Sequence, residues 1–440
     1  MMESVAISLR KHPPSAGTVG REAIRNPLRF FLWLTHTYGD IVQYRSSLEP
    51  AYLVNHPEFI RHVLQSNAQN YNKDTFLNKY MLESLTGQGL LTSENPLWRK
   101  QRHLIQPAFH RQSLPRFATS MHQAVRRTIS QLDTAAAEER PVDIAVEMMR
   151  LTLEIVTEAL FGYDISGGAD EIGVAMDTMV TIGKPRHRKV REAIELLDRT
   201  VYAIIDERRQ HPERERDDLL AMLLSARYED GSAMPDKQVR DEIMSLLVAG
   251  HETTANTLTW TWYLLGLNPH VVERLEQEID SVVGDRLPDA EDFPKLAYTD
   301  KVFHEAMRLY PSAWSISRRA LGDDEIGGYF IPAGSIVAMS PYTMHRHPDF
   351  WDDPERFDPE RFAPEAEAGR HRFAYFPFGG GARQCIGNHF AMMESAIIIP
   401  AIARRYRFHR LSDEPVEGHA LVTLRPIGGL PVRLEPRQHP

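Results

Sequence analysis

The feature that most constrains the fold is one long, uninterrupted helical pattern in the middle of the chain. It begins near Pro235-Asp236 and ends at Asn268-Pro269. Apolar and small residues recur along one face of it at spacings of three, four or seven: Ile243, Leu247, Gly250, Thr254, Leu258 and Leu265. At 1.5 Å per residue such a helix is roughly 48 Å long, the width of a whole domain. The pattern predicts a large fold built around a long central helix.

Shorter patterns predict further helices and a small β region. Helical segments interrupted by prolines fill most of 57–281, and two more helices are predicted at about 300–310 and 386–404. Strand pairs are predicted at 41–44 with 52–54, at 326–331 with 335–340, and as a terminal hairpin within 416–434. We therefore expect one mainly α domain over 1–440, with an irregular lead-in at 1–20.

Composition excludes several classes of protein. A net charge of −9, with no dominant block rich in lysine or arginine, argues against nucleic-acid binding as the main role. One cysteine in 440 residues excludes an intramolecular disulfide and a zinc site with two or more thiolates. The most apolar stretches, 30–34 and 396–403, are shorter than the ~20 residues that a membrane-spanning helix needs. We expect a cytoplasmic protein with no transmembrane segment.

The single cysteine, Cys385, follows a glycine-rich approach. The segment reads Phe378-Gly379-Gly380-Gly381-Ala382-Arg383-Gln384-Cys385-Ile386-Gly387. Backbone N–H groups and the positive end of a helix that begins here would stabilise a thiolate. A phosphate-binding loop is excluded because no Gly-Lys-Ser/Thr follows. An incidental cysteine in a strand-to-helix turn, and the nucleophile of a Cys–His hydrolase, stay open at this point.

Three other segments carry candidate chemistry. The long helix contains Ala249-Gly250-His251-Glu252-Thr253-Thr254, whose glycine and threonines weaken the helix locally and also fit a tolerated kink. Glu305 and Arg308 lie on one helix face, as solvated surface pairs often do. Trp98 and Arg102 belong to a basic helical patch that, taken alone, reads as a solvated face.

The cysteine segment resembles the heme-binding signature F-G-x-G-x-R-x-C-x-G of the cytochrome P450 superfamily at every fixed position. The resemblance extends from about Tyr38 to Val432. It implies the P450 fold, mainly α with a small β region, with heme b (iron protoporphyrin IX) between the long helix and the cysteine loop. It makes Cys385 the thiolate ligand of the iron. It also implies that Arg383 pairs with a propionate, that Phe378 packs beside the sulfur, and that Gly379 and Gly387 shape the loop.

The same resemblance gives roles to the long helix. Ala249–Thr254 is similar to the family's oxygen-activation motif, in which Gly250 opens a groove over the iron. Glu252 and Thr253 then form an acid–alcohol pair that delivers protons through a positioned water. Family members that use peroxide directly, or that rearrange peroxides, often lack this pair. The resemblance therefore favours a monooxygenase that uses O2.

Further residues are assigned by the same resemblance. Trp98, Arg102 and Arg318 would bind the heme propionates, with Arg319 as a neighbouring alternative to Arg318. His345 would reach the same propionates, although ordinary loop packing explains it nearly as well. Glu305 and Arg308 would form a buried structural triad with an arginine of the tandem Asp-Pro-Glu-Arg-Phe repeats, where spacing favours Arg361 over Arg356.

The electrons must come from a separate protein, because the chain has no segment that would bind a flavin or an iron–sulfur cluster. We expect a ferredoxin or flavodoxin with its reductase, docked by a positive surface. Its members would be Arg99, Lys100, Arg102, Arg361, Arg372 and Arg383.

The positions that match the family's substrate pocket are nearly all apolar, which implies a lipophilic substrate such as a fatty acid, terpenoid or carotenoid. They are Leu246, Ala249, Ala313, Trp314, Ile316 and Ile427. The lid region, 163–208, is short and contains the basic run Lys184–Lys189. The leading expectation is hydroxylation or epoxidation with O2. The alternatives are a peroxygenase or isomerase of the same fold, a non-catalytic heme-binding protein, and a thiol hydrolase.

Overall fold

The computed structural model describes residues 11–18, 25–45, 49–165, 167–211, 218–228 and 231–437. Its α-helices, in chain order, are α1 Pro27–Tyr38, α2 Pro57–Arg61, α3 Glu83–Thr86, α4 Leu97–Ile105, α5 Ala118–Ala137, α6 Ile144–Phe161, α7 Ala169–Ile182, α8 Arg188–Gln210, α9 Leu219–Ser225, α10 Asp236–Leu267, α11 Pro269–Val282, α12 Ala297–Leu309, α13 Pro341–Met344, α14 Pro364–Glu367 and α15 Asn388–Ala403. Two π-helical turns, His62–Ser66 and Leu77–Leu82, accompany them.

The strands are short. In chain order they are β1 Ser15–Thr18, β2 Ile41–Arg45, β3 Pro50–Val54, β4 Tyr71–Asn72, β5 Val142–Asp143, β6 Ile316–Ala320, β7 Asp324–Ile326, β8 Tyr329–Ile331, β9 Ile336–Met339, β10 Tyr406–Arg410, β11 Gly418–Ala420, β12 Leu424–Pro426 and β13 Pro431–Pro436. The prediction of a mainly α chain with a small β region is confirmed.

The chain forms two compact units, and each is assembled from separate stretches of sequence. The first unit comprises 1–78 and 307–385, and the second comprises 79–306 and 386–440. The expectation of one domain over 1–440 stays a prediction. Within the lead-in, Ser15–Thr18 is a strand and not irregular, because it pairs with β2. Residues 1–10 and 19–20 of that lead-in lie outside the described part of the chain.

The first unit is organised by a six-stranded sheet in the order β1-β2-β3-β9-β6-β4. The predicted hairpin of β2 and β3 is confirmed, with Ile41 opposite Val54. The predicted pairing of 326–331 with 335–340 is wrong. Gly327 and Gly328, both at positive φ, turn β7 directly into β8, and β9 pairs instead with β3 and β6. Both faces of this sheet carry buried apolar clusters.

The second unit is built around α10, which is buried along most of its length and packs on α6. Its ends match the predicted ones, since Pro235 caps its start and Asn268 its end. Gly250 lies at the contact between these helices, where an added Cβ would come 3.1 Å from Cγ2 of Val156. The predicted terminal hairpin is only partly correct. β11 and β12 form a hairpin, whereas β13 pairs with β10 and β5.

Candidate active site

The cysteine loop lies at the end of the first unit and leads into α15. Cys385 is three residues before Asn388, the first residue of that helix, and its side chain is exposed. Its backbone N–H donates to the carbonyl of Phe378 at 2.9 Å, which closes the glycine-rich loop. Arg383 ends a 3-10 turn that begins at Gly381. The sulfur is thus presented at the N-terminal approach of a helix, where a thiolate is stabilised.

Glycine is required in this loop for two physical reasons. Gly379 and Gly381 both have φ of +68°, a conformation that side chains with a Cβ rarely adopt. A Cβ on Gly381 would lie 1.8 Å from the carbonyl oxygen of Leu64, and a Cβ on Gly380 would lie 2.3 Å from the ring of Phe373. The loop therefore packs its glycines tightly against the first unit.

The residues of the loop fit a heme group. The donor is an exposed cysteine near a helix start, and a cationic Arg383 lies two residues before it. Beyond the cysteine, a Cβ on Gly387 would meet no atom within 4 Å, so the backbone leaves room for a flat group. Cys385 would hold the iron, and Arg383 has the charge that a propionate requires.

The structure distinguishes the two candidate propionate arginines on β6. Arg319 binds the carboxylate of Glu49 through two contacts of 3.0 Å, and it also donates to the carbonyls of Asp74 and Gly334. Arg318 points to the opposite face of the strand, as neighbouring residues in a strand do. Its guanidinium donates to its neighbour's carbonyl, that of Ser317. The geometry favours Arg318, and its role at a propionate stays a prediction.

His345 is fully buried and is held by the backbone. Its Nε2 accepts a hydrogen bond from the N–H of Phe376 at 3.0 Å, so its hydrogen resides on Nδ1. Among the described residues Nδ1 has no hydrogen-bond partner. Burial, together with the charges of Arg308 and Arg346, lowers the pKa of His345 well below its usual value. The imidazole is therefore neutral, and its predicted contact with a propionate would have to use Nδ1–H.

Arg308, at the end of α12, organises the segment after α13. Its guanidinium is fully buried and donates to the carbonyls of His345 at 2.9 Å, Pro354 at 2.6 Å and Arg356 at 3.0 Å. Glu305 is also fully buried, so the two residues are not a solvated surface pair. The side chain of Arg356 is 64% exposed, whereas Nε of Arg361 is buried. These positions favour Arg361 as the third member of the predicted triad.

The predicted propionate ligands of the second unit lie on α4. Trp98 is buried, and Arg102 follows one turn later, partly buried, with its Nε donating to Gln106 at 3.1 Å. Arg99 and Lys100 of the same helix are exposed. The helix therefore separates an inward tryptophan from an outward basic face, which is consistent with both predicted roles.

The oxygen-activation segment forms part of the continuous helix α10. Thr253 Oγ1 donates to the carbonyl of Ala249 at 2.7 Å, and Thr254 Oγ1 donates to that of Gly250 at 3.1 Å. These bonds follow the helix, which remains α-helical through the segment. The missing side chain of Gly250 makes room for Val156 of α6. The predicted role of Gly250 in opening a groove over the iron stays a prediction.

Glu252 is fully buried in a polar network that the sequence did not reveal. Its Oε1 accepts hydrogen bonds from the Thr423 hydroxyl and from Nε of Arg425, the latter at 2.8 Å. Arg425 also pairs with Asp177 of α7. Thr423 lies 171 positions and Arg425 lies 173 positions from Glu252 in the sequence. No local pattern marks such a pairing.

Glu394 of α15 is a second buried acid that sequence reasoning missed. Burial raises its pKa well above the usual value, and the hydroxyl of Thr254 on α10 partly offsets this. The carboxyl group is therefore neutral. A signal existed, since Glu394 is the one acidic residue within Asn388–Ala403, a mostly apolar helix.

The predicted pocket positions differ in exposure. Leu246 is buried and Ala249 partly buried on α10, whereas Ile427 is 54% exposed beyond β12. In the first unit Ala313, Trp314 and Ile316 are partly buried, and the Trp314 ring packs 5.8 Å from that of Phe31. Their contact with a substrate stays a prediction. In the described part of the chain, no helix has the length and apolar character needed to cross a membrane.

Comparison with known proteins agrees with this geometry. The family model of cytochrome P450 matches residues 18–182 and 171–429. Cyclooctatin synthase of Streptomyces melanosporofaciens is 36% identical over 94% of this chain and 89% of its own length. LUTEIN DEFICIENT 5, a chloroplastic protein of Arabidopsis thaliana, is 34% identical over 98% of this chain and 78% of its own. Pentalenene oxygenase of Streptomyces avermitilis is 31% identical over 97% of both chains.

Solved structures give the same result for the fold. The crystal structure of the cytochrome P450DA heme domain matches with a TM-score of 0.87 at 26% identity, over 98% of this chain and 99% of that one. Together with a family model that covers most of the sequence, these relatives establish the family of the chain, and the role of Cys385 as its heme ligand stays a prediction. The chain belongs to the cytochrome P450 family, and it is a monooxygenase with heme b as its cofactor.

Proposed function

We propose that this P450 uses O2 and electrons from a separate redox protein to hydroxylate or epoxidise a terpenoid. The observation that carries the proposal is the acid–alcohol pair of Glu252 and Thr253, with Glu252 fully buried on α10. The substrate class is supported by the names of the relatives, which include cyclooctatin synthase, pentalenene oxygenase and cyclooctat-9-en-7-ol 5-monooxygenase. The single cysteine supports a reducing compartment such as the cytoplasm.

Each residue of the proposed site has a separate task. Bound heme would supply the iron at which O2 is reduced, and the thiolate of Cys385 would hold that iron. Glu252 exchanges a proton through its buried carboxyl group, and Thr253 positions the water that carries it. The Thr253 hydroxyl gives its hydrogen to the carbonyl of Ala249, so its oxygen is oriented to accept a hydrogen bond from that water. Apolar positions such as Leu246 exclude other water from the substrate.

A peroxide-using enzyme of the same fold is the second candidate, and Glu252 argues against it. Such an enzyme receives its protons with the oxidant and has no need of a buried acid beside the alcohol. Thr253→Ala should leave heme binding unchanged but divert electrons from product to peroxide. The amount of product formed per NAD(P)H consumed should fall about tenfold or more. An unchanged yield per electron would contradict the assignment of oxygen activation to this pair.

The thiolate is tested by a carbon-monoxide difference spectrum of the reduced protein. We expect the red-shifted Soret band of a thiolate-bound heme, and we expect Cys385→Ser to abolish it while leaving the far-ultraviolet circular dichroism unchanged. An unshifted band in the unmodified protein would contradict the assignment of Cys385.

The substrate class is tested with three panels of ligands on the same preparation: cyclic terpenes, carotenoids and long-chain fatty acids. The proposal expects the low- to high-spin shift of the heme with terpenoid ligands, cyclic terpenes or carotenoids, and oxygenated product with those ligands. Fatty acids should bind more weakly. A spin shift and product with fatty acids alone would overturn the substrate class but leave the monooxygenase chemistry in place.

A further inference from the structure

The backbone next to Arg425 is hydrogen-bonded to α10, which positions the Arg425 side chain beside that helix. Leu424, the residue before it on β12, is fully buried, and its carbonyl accepts a hydrogen bond from Nε1 of Trp260 at 3.0 Å. The short hairpin of β11 and β12 is thereby attached to the helix that carries Glu252. Trp260 is eight positions after Glu252 along α10, slightly more than two turns, so both lie on one side of the helix.

The hydrogen-bond directions around Glu252 are determined by the donors. The side-chain amide of Asn256 donates to the hydroxyl oxygen of Thr423 at 3.0 Å, and that hydroxyl has one hydrogen left to give. It gives this hydrogen to Oε1 of Glu252. Nε–H of Arg425 is also a donor and binds the same oxygen at 2.8 Å. Oε1 therefore accepts hydrogen bonds from two donors, and both hold this oxygen in place.

The second oxygen of Glu252 has a different environment from the first. Oε2 is buried and has no hydrogen-bond partner among the described residues. A proton taken up by this side chain would therefore be placed on Oε2, while Oε1 remains held by Thr423 and Arg425. The two oxygens thus have separate tasks, since one anchors the side chain and the other is free to exchange a proton.

Arg425 also connects this acid to the protein surface. Its Nη1 binds the carboxylate of Asp177 and the hydroxyl of Thr181, both on α7, the latter at 3.2 Å. The side chains become more exposed in steps along the series, from 0% for Glu252 to 14% for Arg425 and 61% for Asp177. The guanidinium is therefore shared between a buried carboxylate and a surface carboxylate.

We propose that Arg425 is a positioning residue for oxygen activation: it anchors Oε1 of Glu252 and leaves Oε2 as the oxygen that exchanges the proton. Asp177, which binds the opposite side of the guanidinium, sets how much of the charge of Arg425 reaches Glu252. The inference rests on the proposed function, because it takes Glu252 to be the acid of the acid–alcohol pair.

The electrostatics of the surrounding groups agree with this role. Burial opposes the charge of Arg425, but the attraction and hydrogen bonds of Glu252 and Asp177 outweigh it and raise the pKa of Arg425. His251, next to Glu252 on α10, is buried, and burial lowers its pKa, so it adds no positive charge. Glu394, on α15, is neutral at ordinary pH. Arg425 is thus the cation that compensates the charge of Glu252 among the described groups packed around it.

The direct test is an infrared titration of the heme-loaded protein, which needs no turnover. Glu252→Gln identifies the band of the protonated Glu252 carboxyl group by deleting it. In Arg425→Gln, that band should appear at a pH higher by roughly 1–3 units, the effect of removing an opposite charge at this distance. Asp177→Asn should shift it in the opposite direction. Arg433→Gln, an exposed arginine of β13, is the matched control and should leave the band in place.

Turnover gives a second readout. Arg425→Gln should change the pH profile of product formed per electron, with little change in the KM for substrate, and Arg425→Lys should restore part of the wild-type profile. If Arg425→Gln fails to fold, Arg425→Lys and Thr423→Val carry the same test, since each weakens one bond to Oε1.

The outcomes separate the two proposals. An infrared shift in a protein that forms no product would leave the positioning role intact and overturn the proposed function. An unchanged Glu252 band in Arg425→Gln would overturn the positioning role, whatever the activity.

Discussion

At the scale of single residues, Glu242 is an acid whose environment has been altered by folding. It is fully buried in the second turn of α10, where Oε2 accepts from the N–H of Leu90 at 2.8 Å and Oε1 from the amide of Gln238 at 2.9 Å. Burial raises the pKa of Glu242 to about 7, and the negative charge of Asp241 adds to the rise, while the hydrogen bonds oppose it. The folded protein therefore binds this proton more tightly than the unfolded chain, whose value is 4.5.

This shift predicts a pH dependence of stability. The stabilisation from Glu242 is fully present below about pH 4.5 and is lost as the pH rises through about 7, a loss of about 3 kcal/mol. Glu242→Gln stays neutral, so it should remove this part of the pH dependence. Urea-unfolding midpoints of the heme-loaded protein, compared between about pH 5.5 and about pH 8, measure it. Glu291→Gln, which replaces an exposed acid, is the control. If the urea midpoints of Glu242→Gln and Glu291→Gln changed equally with pH, the assignment would be contradicted.

Which site residues could be predicted follows from where their partners lie in the sequence. Cys385, Arg383 and the glycines act within ten consecutive residues, so a motif defines them. Arg425 acts on Glu252 from 173 residues away, through a hairpin of three-residue strands. Nothing in the spacing or polarity near Arg425 distinguishes it from a surface arginine. Long-range ion pairs of this kind are properties of the packed chain.

At the scale of elements, Arg308 joins α12 to the irregular segment after α13. It gives hydrogen bonds to three backbone carbonyls from two different nitrogens, an arrangement that the single ammonium of lysine cannot reproduce. Arg308→Lys should therefore leave buried carbonyl groups without a donor and destabilise the protein by about 2–5 kcal/mol. The measurements are the thermal midpoint and the heme content per chain, and both should fall.

The same experiment decides between the two candidate arginines of the triad. Arg361→Lys should act in the same direction as Arg308→Lys, because Nε of Arg361 is buried. Arg356→Lys is the matched control, since its side chain is 64% exposed and lies 3.8 Å from Asp358. Equal heme loss in Arg356→Lys and Arg361→Lys would show that the burial of Arg361 does not assign it to the triad.

Elements were predictable where their signals are local. The ends of α10 are marked by prolines and its face by apolar periodicity, so its bounds followed from the sequence. The strand pair at 326–340 was misassigned because Gly327 and Gly328 form the turn inside what looked like one strand. β9 then pairs with β3, whose residues are nearly three hundred positions away, with Ala51 beside Ile336. Such a partner is chosen by the packed sheet and not by neighbouring residues.

At the scale of the whole molecule, a chain of net negative charge still carries exposed cations. The chain carries −9 overall, yet Arg99, Lys100 and Arg372 are exposed cations among the residues predicted to bind a redox protein. An acidic ferredoxin or flavodoxin would be attracted to such residues although the molecule as a whole repels it. Attraction between exposed charges acts mainly on the rate of association, and salt screens it.

The last prediction therefore concerns salt and one lysine. Lys100→Glu should raise the KM for an acidic ferredoxin severalfold while leaving the carbon-monoxide spectrum and the substrate-induced spin shift unchanged. Raising the salt from about 0.01 M to about 0.1 M shortens the Debye length from about 30 Å to about 10 Å, so it should weaken the wild-type interaction more than that of the variant. Arg433→Glu makes the same charge change at an exposed site outside the predicted set. If Lys100→Glu and Arg433→Glu behaved alike and turnover did not respond to salt, electrostatic docking through α4 would be excluded.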